Sequence, residues 1–418
     1  MQRLARLLRY DYPQLMPLWV NVFIDVLGFS ILIPFLPFFS TQFGAAAWQI
    51  GLLLSTNALF GFFSGPVWGS LSDRFGRKPI LLVCQFGTLA GFLMMAFSNS
   101  LWMLYASRIV DGIFGGNMPI ARAIIGDVIP SHERSKHMTN IGAAYVMASL
   151  LGPGIGGMLS QRGILLPGLL SASLTCLAIL LTTVYIEESN PALREGAPPE
   201  QAAAQPGRPW NKRGNVLQKY PATRYLLTQW GFHNLAFMLF SSCISLFAFL
   251  RLGLDARQVG LMLTLAGIVR LLVRFLVFMP LLRRLGDHRT LMLGLSTFVV
   301  TYILLCFVQT PFQFAAILCL HSFGASCTRG IMNSFMSRSV QPFEQGQMMG
   351  LSTSMDNFSQ IVGPLAGGLI LDTLPLWAYG GLAGVLAFVP LVMVLQPVEV
   401  YRSLPPTESS LQSQIPGD

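Results

Sequence analysis

The sequence predicts an all-α membrane protein with twelve transmembrane helices in two pseudo-symmetric six-helix bundles. Three observations predict it. The 418 residues are 53% hydrophobic and 11% charged, with a mean hydropathy of +0.58; a soluble globular chain carries about 25% charged residues. The apolar residues fall in about twelve runs, each near the roughly twenty residues that cross about 30 Å of hydrocarbon. The chain also repeats itself. Gly152-Pro-Gly-Ile-Gly-Gly157 recurs as Gly363-Pro-Leu-Ala-Gly-Gly368, and at the same offset Glu133 meets Glu344 and Met138 meets Met349.

The runs lie near 16–40, 48–71, 79–98, 101–127, 137–160 and 164–186, then 223–250, 258–282, 289–308, 311–337, 347–371 and 374–396. The first is too long for a cleaved signal peptide and leads into further spans. Residues 187–222 hold Pro191, Pro198, Pro199, Pro206 and Pro209 among Ala, Glu and Gln. Such a composition cannot bury a core and predicts a flexible cytoplasmic linker. The same argument predicts a disordered cytoplasmic tail over 397–418, leaving bundles at 1–186 and 223–396. Parallel repeats across a central linker are the architecture of two-bundle secondary transporters.

Charge fixes the expected topology. With the N-terminus inside, the inner segments take most of the Lys and Arg, among them Arg74, Arg77, Lys78, Arg283, Arg284 and Arg289; the outer loops keep Arg162, Arg251 and Arg257. Short basic loops stay in the cytoplasm, so a multi-pass protein of the cell (inner) membrane is expected, with both termini cytoplasmic. The net charge of +9 does not point to nucleic acid, because the basic residues punctuate apolar runs instead of forming one patch. The six cysteines all fall within apolar runs and make no CxxC pair, which indicates neither a disulfide framework nor a metal site. No phosphate-binding loop of the Walker type appears, and the outer loops are too short for an enzyme site. The reading is a transporter without cofactor, expected as a monomer, whose partners are a small organic substrate, protons and membrane lipids. Intact gate glycines and several membrane charges argue against a non-transporting sensor on the same frame.

The loop Gly69-Ser-Leu-Ser-Asp-Arg-Phe-Gly-Arg-Lys78 is the most informative stretch. Gly69, one turn before Asp73, is expected to allow close helix approach. Asp73 suits hydrogen bonds or the positive end of a neighbouring helix. With Arg74, Gly76 and Arg77 it resembles the signature loop of the major facilitator superfamily. Asp25-Val-Leu-Gly-Phe-Ser-Ile-Leu-Ile-Pro34 resembles a first-span motif of that superfamily's twelve-span drug:proton antiporter branch. Arg108-Ile-Val-Asp-Gly112 is similar to its fourth-span motif, and Ala148–Gly157 to its fifth-span antiporter motif. Leu101-Trp-Met-Leu-Tyr105 resembles the tetracycline-exporter group. That group carries acids in the third span near Gly91 and in the ninth near Phe298; this chain has neither, so a metal–tetracycline substrate is not carried over. The resemblance implies proton-coupled efflux of drug-like compounds by alternating access, with Asp73 and Arg77 holding the inner gate.

Charges inside a membrane span cost at least about 2.5–3.5 kcal/mol on insertion scales, so each needs a reason. Asp25 reads either as a protonation site or substrate contact, or as a residue that fixes helix packing. Arg108 and Asp111, at i and i+3, share a helix face and can pair. The resemblance implies that Arg108 takes part in proton transfer, while Asp111 offers a structural alternative by neutralising it. Arg270 and Arg274, at i and i+4, are expected on one cavity-facing side. With Arg329 they suit a carboxylate, phosphate or sulfonate, or else pair with Asp356. A carboxylate-carrying organic anion is therefore the second substrate class. His233 is a possible titrating group, or a hydrogen-bonded neighbour of Asn234. Gly152, Pro153, Gly156, Gly157, Gly363 and Pro364 read equally as helix-bending elements or as ordinary close packing.

Overall fold

The computed structural model describes residues 15–129, 134–161, 163–190, 216–341 and 344–395. The expected linker between 190 and 216 and the expected tail over 397–418 lie outside the described residues. The first half of the sequence forms α1 (Met16–Leu32), α2 (Leu36–Gln42), α3 (Ala47–Phe75), α4 (Arg77–Ala96), α5 (Leu101–Ile113), α6 (Asn117–Val128), α7 (Arg134–Ser160) and α8 (Leu165–Tyr185). The second half forms α9 (Val216–Lys219), α10 (Pro221–Leu252), α11 (Ala256–Leu272), α12 (Phe278–Cys306), α13 (Pro311–Arg338), α14 (Gln345–Thr373) and α15 (Trp377–Leu395). A 3₁₀ turn at Ile33–Phe35 joins α1 to α2, where Pro34 and Pro37 withdraw backbone donors.

Among the described residues, nine helical stretches are long and apolar enough to cross a membrane. The twelve expected runs map onto them with three differences. The run 101–127 is broken into α5 and α6. The runs 258–282 and 289–308 merge into one stretch, Ala256–Cys306, through a π turn at Val273–Val277 and a sharp turn at Gly286. The run 347–371 is helical as α14 but is not among the nine.

The chain divides into two compact units. In their described parts, unit 1 takes in Met1–Ala46, Leu53–Pro209 and Ala256–Leu261, and unit 2 Ala47–Leu52, Trp210–Asp255 and Met262–Asp418. Each is built from the same four pairings. In unit 1, α1 packs on α7 and α8, and α4 on α8 and α5; in unit 2, α10 packs on α14 and α15, and α12 on α15 and α13. The repeated glycines set the first pairing. A Cβ on Gly152 would come within 2.4 Å of Ser30, and one on Gly156 within 2.1 Å of the Ile31 carbonyl. Their repeats do the same, Gly363 against Met238 at 2.8 Å and Gly367 against Cys243 at 3.1 Å. Without driving force from water, such close backbone approach is what holds membrane helices together. Pro153 and Pro364 lie within these same helices.

Smaller features repeat as well. Asn21 donates to the Ala178 carbonyl at 3.2 Å, and Gln229 to that of Pro390 at 3.1 Å. Lys78 Nζ donates to the Thr183 carbonyl at 2.8 Å, while His288 lies 3.2 Å from that of Val394.

The signature loop corrects one expectation. Nothing lies within 4 Å of where a Cβ on Gly69 would stand, because this stretch of α3 is only partly covered; close approach is not its role. The glycine that the backbone requires is Gly76, at φ 104° and ψ 151°, with Gly286 at φ 74° and ψ 172° as its repeat. Both lie in a region nearly closed to other residues. Gly76→Ala and Gly286→Ala should each lower stability by about 1–3 kcal/mol. Gly65→Ala, in open helix with nothing within 4 Å, should leave the melting temperature in detergent unchanged or raise it.

Candidate functional site

Unit 1 places its polar centre where the fourth span breaks. Residues Phe114 to Gly116 leave helix, and the carbonyls freed at the end of α5 find side chains on α3: Ser64 Oγ donates to the Gly112 carbonyl at 2.9 Å and Trp68 Nε1 to that of Ile113 at 2.5 Å. Hydrocarbon supplies no such donors, so a break survives only where the protein does. Gly116 is required there, since a Cβ would lie 2.7 Å from the Cys84 sulfur. The break brings the first turn of α6 to α1. Asn117 Nδ2 donates to Asp25 Oδ1 at 3.0 Å. Asp25 is half-buried and, among the described residues, makes no ion pair.

Arg108 and Asp111 pair as their spacing predicts, Nη1 to Oδ2 at 3.2 Å. Arg108 is fully buried, Asp111 nearly so. Asn57 of α3 donates to the same Asp111 oxygen at 2.7 Å. Arg108 Nε and Nη2 have no hydrogen-bond partner; the guanidinium lies 5.9 Å from the centre of the Phe92 ring. Gly91 abuts this pair, since its Cβ would sit 3.0 Å from that of Asp111. A third-span acid at that point would have no room, and the acid here comes from α5 instead.

Unit 2 carries a small cleft, open to solvent, lined by Trp230, His233, Asn234, Phe237, Arg270, Ala325, Thr328 and Arg329. Asp356 of α14 lies behind it. Its Oδ1 accepts from Trp230 Nε1 at 2.8 Å and from Asn234 Nδ2, and its Oδ2 meets Arg329 Nη2 at 3.3 Å. Arg329 is 46% exposed and lies 5.6 Å above the Trp230 ring, so it reaches into open space. His233 is buried, 3.4 Å from Thr328 Oγ1 and edge-on to Phe298 at 5.1 Å. Phe298 also meets His321 at 4.9 Å, so aromatic packing fills the region where the tetracycline-exporter group carries its ninth-span acid.

Arg270 lines the pocket and Arg274 does not. The π turn at Val273–Val277 adds a residue to the helical turn, which shifts everything after it around the axis. Arg274 lies exposed, 4.9 Å over the Phe278 ring. The expectation that the two arginines share one cavity-facing side therefore fails for the second. Ser326 Oγ donates to the Arg270 carbonyl at 3.3 Å beside the π turn.

The signature loop forms a third cluster. Arg77 Nη1 meets Asp73 at 2.5 Å, and its Nε meets Asp127 at 2.9 Å; Arg74 lies over the Phe75 ring. In unit 2 the repeat of the Arg77–Asp127 pair is Asp287 with Arg338, at 2.9 Å. The pairing is kept and its polarity inverted. Also in unit 2, Glu344 accepts from Lys219 Nζ and Tyr220 Oη, both at 2.8 Å. Asn57, Asn117 and Asp287 are absent from the sequence-predicted site. The dipeptide Gly115-Gly116 within an apolar run was the signal for Asn117; nothing in the sequence pointed to Asn57.

Long apolar helices in two repeated units, each with charges on discontinuous or bulged helices, define a secondary membrane transporter. The chain belongs to the Major Facilitator Superfamily, whose family model matches residues 18–277 and 232–416. Over 348 residues it is 29% identical to the tetracycline resistance protein, class C, of Escherichia coli, covering 82% of this chain and 86% of that protein. It is 25% identical over 365 residues to a multi-drug resistance efflux pump PmrA homolog of Lactococcus lactis, covering 84% and 86%. The crystal structure of the human organic anion transporter MFSD10 (TETRAN) aligns with TM-score 0.67 at 22% identity, over 91% of this chain and 98% of that one, which establishes the shared fold.

The Lys219 hydrogen bond holds the Glu344 carboxyl below the usual carboxylate range, and the Glu344 hydrogen bond holds Lys219 above the usual lysine range. Both contributions are present near neutrality. The first is lost as pH falls through the depressed carboxyl value, the second as pH rises through the raised lysine value. Glu344→Gln should lower the melting temperature at neutral pH. The gap to wild type should close below about pH 4 and above about pH 10.5, read from thermal unfolding across pH.

Proposed function

We propose that this transporter exports small organic compounds in exchange for protons by alternating access, from the cell (inner) membrane with both termini cytoplasmic. The observation that carries the reading is Asp25, a half-buried carboxylate in a membrane span whose partner is the Asn117 amide and not a cation. A carboxylate without countercharge is a group that a proton can neutralise and a gradient can work through. Arg108 and Asp111, buried in the same unit, form the second element of coupling. Asp73 and Arg77 act as the inner gate. The likeness to proteins named for tetracycline resistance and multi-drug efflux supports export of drug-like compounds.

A second reading, an organic-anion carrier, is favoured by the unit 2 pocket. Arg270 and Arg329 line it, with Asp356 behind them paired to Arg329. Bidentate contact with a carboxylate and stacking on Trp230 or Phe237 suit an aromatic anion.

Proteoliposomes with an internal pH dye separate the two readings, using ethidium as cation and 1-naphthoate as anion. Asp25→Asn should cut accumulation driven by the pH gradient at least about tenfold while substrate–substrate exchange continues; full accumulation would remove Asp25 from coupling. Arg270→Gln and Arg329→Gln should lower naphthoate transport about tenfold and spare ethidium if the pocket takes anions. Equal loss of both would exclude that selectivity.

A further inference from the structure

The first turn of α4 lacks a cap of its own. Its N-cap is Gly76, which supplies no side chain, and the backbone at that position admits little else. The orphan donors of a helix start still need partners. They find one 111 residues away. Glu188 Oε1 accepts from the Arg77 backbone N–H at 2.9 Å, and Oε2 from that of Lys78 at 3.1 Å. Oε1 also accepts from the backbone N–H of Ser189 and Asn190, at 3.0 and 2.9 Å. Four backbone donors thus converge on one carboxylate, which suits the positive end of a helix.

The residues after Glu188 continue the attachment. Ser189 Oγ donates to Asp127 Oδ2 at 3.3 Å, and Asn190 Nδ2 to the Asp73 carbonyl at 2.8 Å. Both are buried although they lie outside any helix. Asp73 and Asp127 are the two carboxylates that Arg77 bridges. Three consecutive residues just after α8 therefore bind Arg77, Asp127 and Asp73, the three members of the Arg77 cluster.

We propose that Glu188 is a positioning residue for the Arg77 gate: it fixes the first turn of α4 so that Arg77 spans Asp73 and Asp127, and it makes the first residues of the linker a working part of that gate. The proposal rests on the gating role given to Asp73 and Arg77 above. Glu188→Gln turns one accepting oxygen into an amide donor that faces backbone N–H groups, whereas Glu188→Asp keeps the charge on a shorter arm.

The test is a double-mutant cycle on proton flux in proteoliposomes, elicited by ethidium or 1-naphthoate. Glu188→Gln should lower the maximal rate about tenfold, the scale of one charge-assisted hydrogen bond, with KM within about twofold. Glu188→Asp should recover part of the rate. Adding Glu188→Gln to Arg77→Gln should cost nothing further, because the two act as one unit. Multiplicative losses in the double variant, or an unchanged maximal rate in Glu188→Gln while Arg77→Gln is slow, would overturn the proposal and leave the gate reading standing. A wild-type rate in Arg77→Gln would remove the gate reading itself. Ser189→Ala, which keeps the cap and loses only the bond to Asp127, should lower the maximal rate by a smaller factor; a full rate with an unchanged pH profile would confine the attachment to Glu188 and exclude the linker from the gate.

Discussion

In hydrocarbon, each backbone polar group needs a partner within the protein, and this chain is organised by the few places where regular helix gives none. At Phe114–Gly116 the partners are Ser64 and Trp68. Beside the π turn, Ser326 reaches the Arg270 carbonyl. At the start of α4 the carboxylate of Glu188 takes the role. Each of these places lies next to a charged side chain: Asp111 at the first, Arg270 at the second, Arg77 at the third. The same irregularity that costs backbone bonds aims a side chain that a continuous helix would have pointed elsewhere.

The repeat separates scaffold from function. Helix pairings, glycine contacts and the positive-φ glycines Gly76 and Gly286 occur in both units. Among the described residues the broken fourth span and the π turn occur once each, beside charges whose repeat positions are uncharged. Unit 1 holds an acid that pairs with an amide and a buried Arg108–Asp111 pair. Unit 2 holds a pocket lined by two arginines. Two copies of one frame have taken up different chemistry by departing from regular helix at different spans.

Much of this frame was legible in the sequence, because hydropathy, length and the glycine repeat report directly on burial and close approach. Arg108 and Asp111 pair as one helical turn requires, and Gly152 and Gly363 pack as small residues should. Three things were hidden. The face shared by Arg270 and Arg274 was read from a 3.6-residue period, which a π turn interrupts without changing composition. Gly69 was read by proximity to Asp73, whereas the conformational demand falls on Gly76. Asn57 and Glu188 act through contacts made 54 and 111 residues away, and no local pattern announces a partner at that separation.

The inverted pair shows what such a repeat conserves. Arg77 with Asp127 and Asp287 with Arg338 join equivalent helix ends with opposite signs. A partly buried charge is costly alone and tolerable in a pair, so the constraint at these positions is neutrality and not the identity of either residue. Arg77 also bridges Asp73, and α4 begins on the Glu188 carboxylate. A neutral pair needs two residues. Arg77 has drawn in Asp73, and its partners are in turn held by Ser189 and Asn190. That added attachment is what the gate proposed for this loop would have to release and re-form.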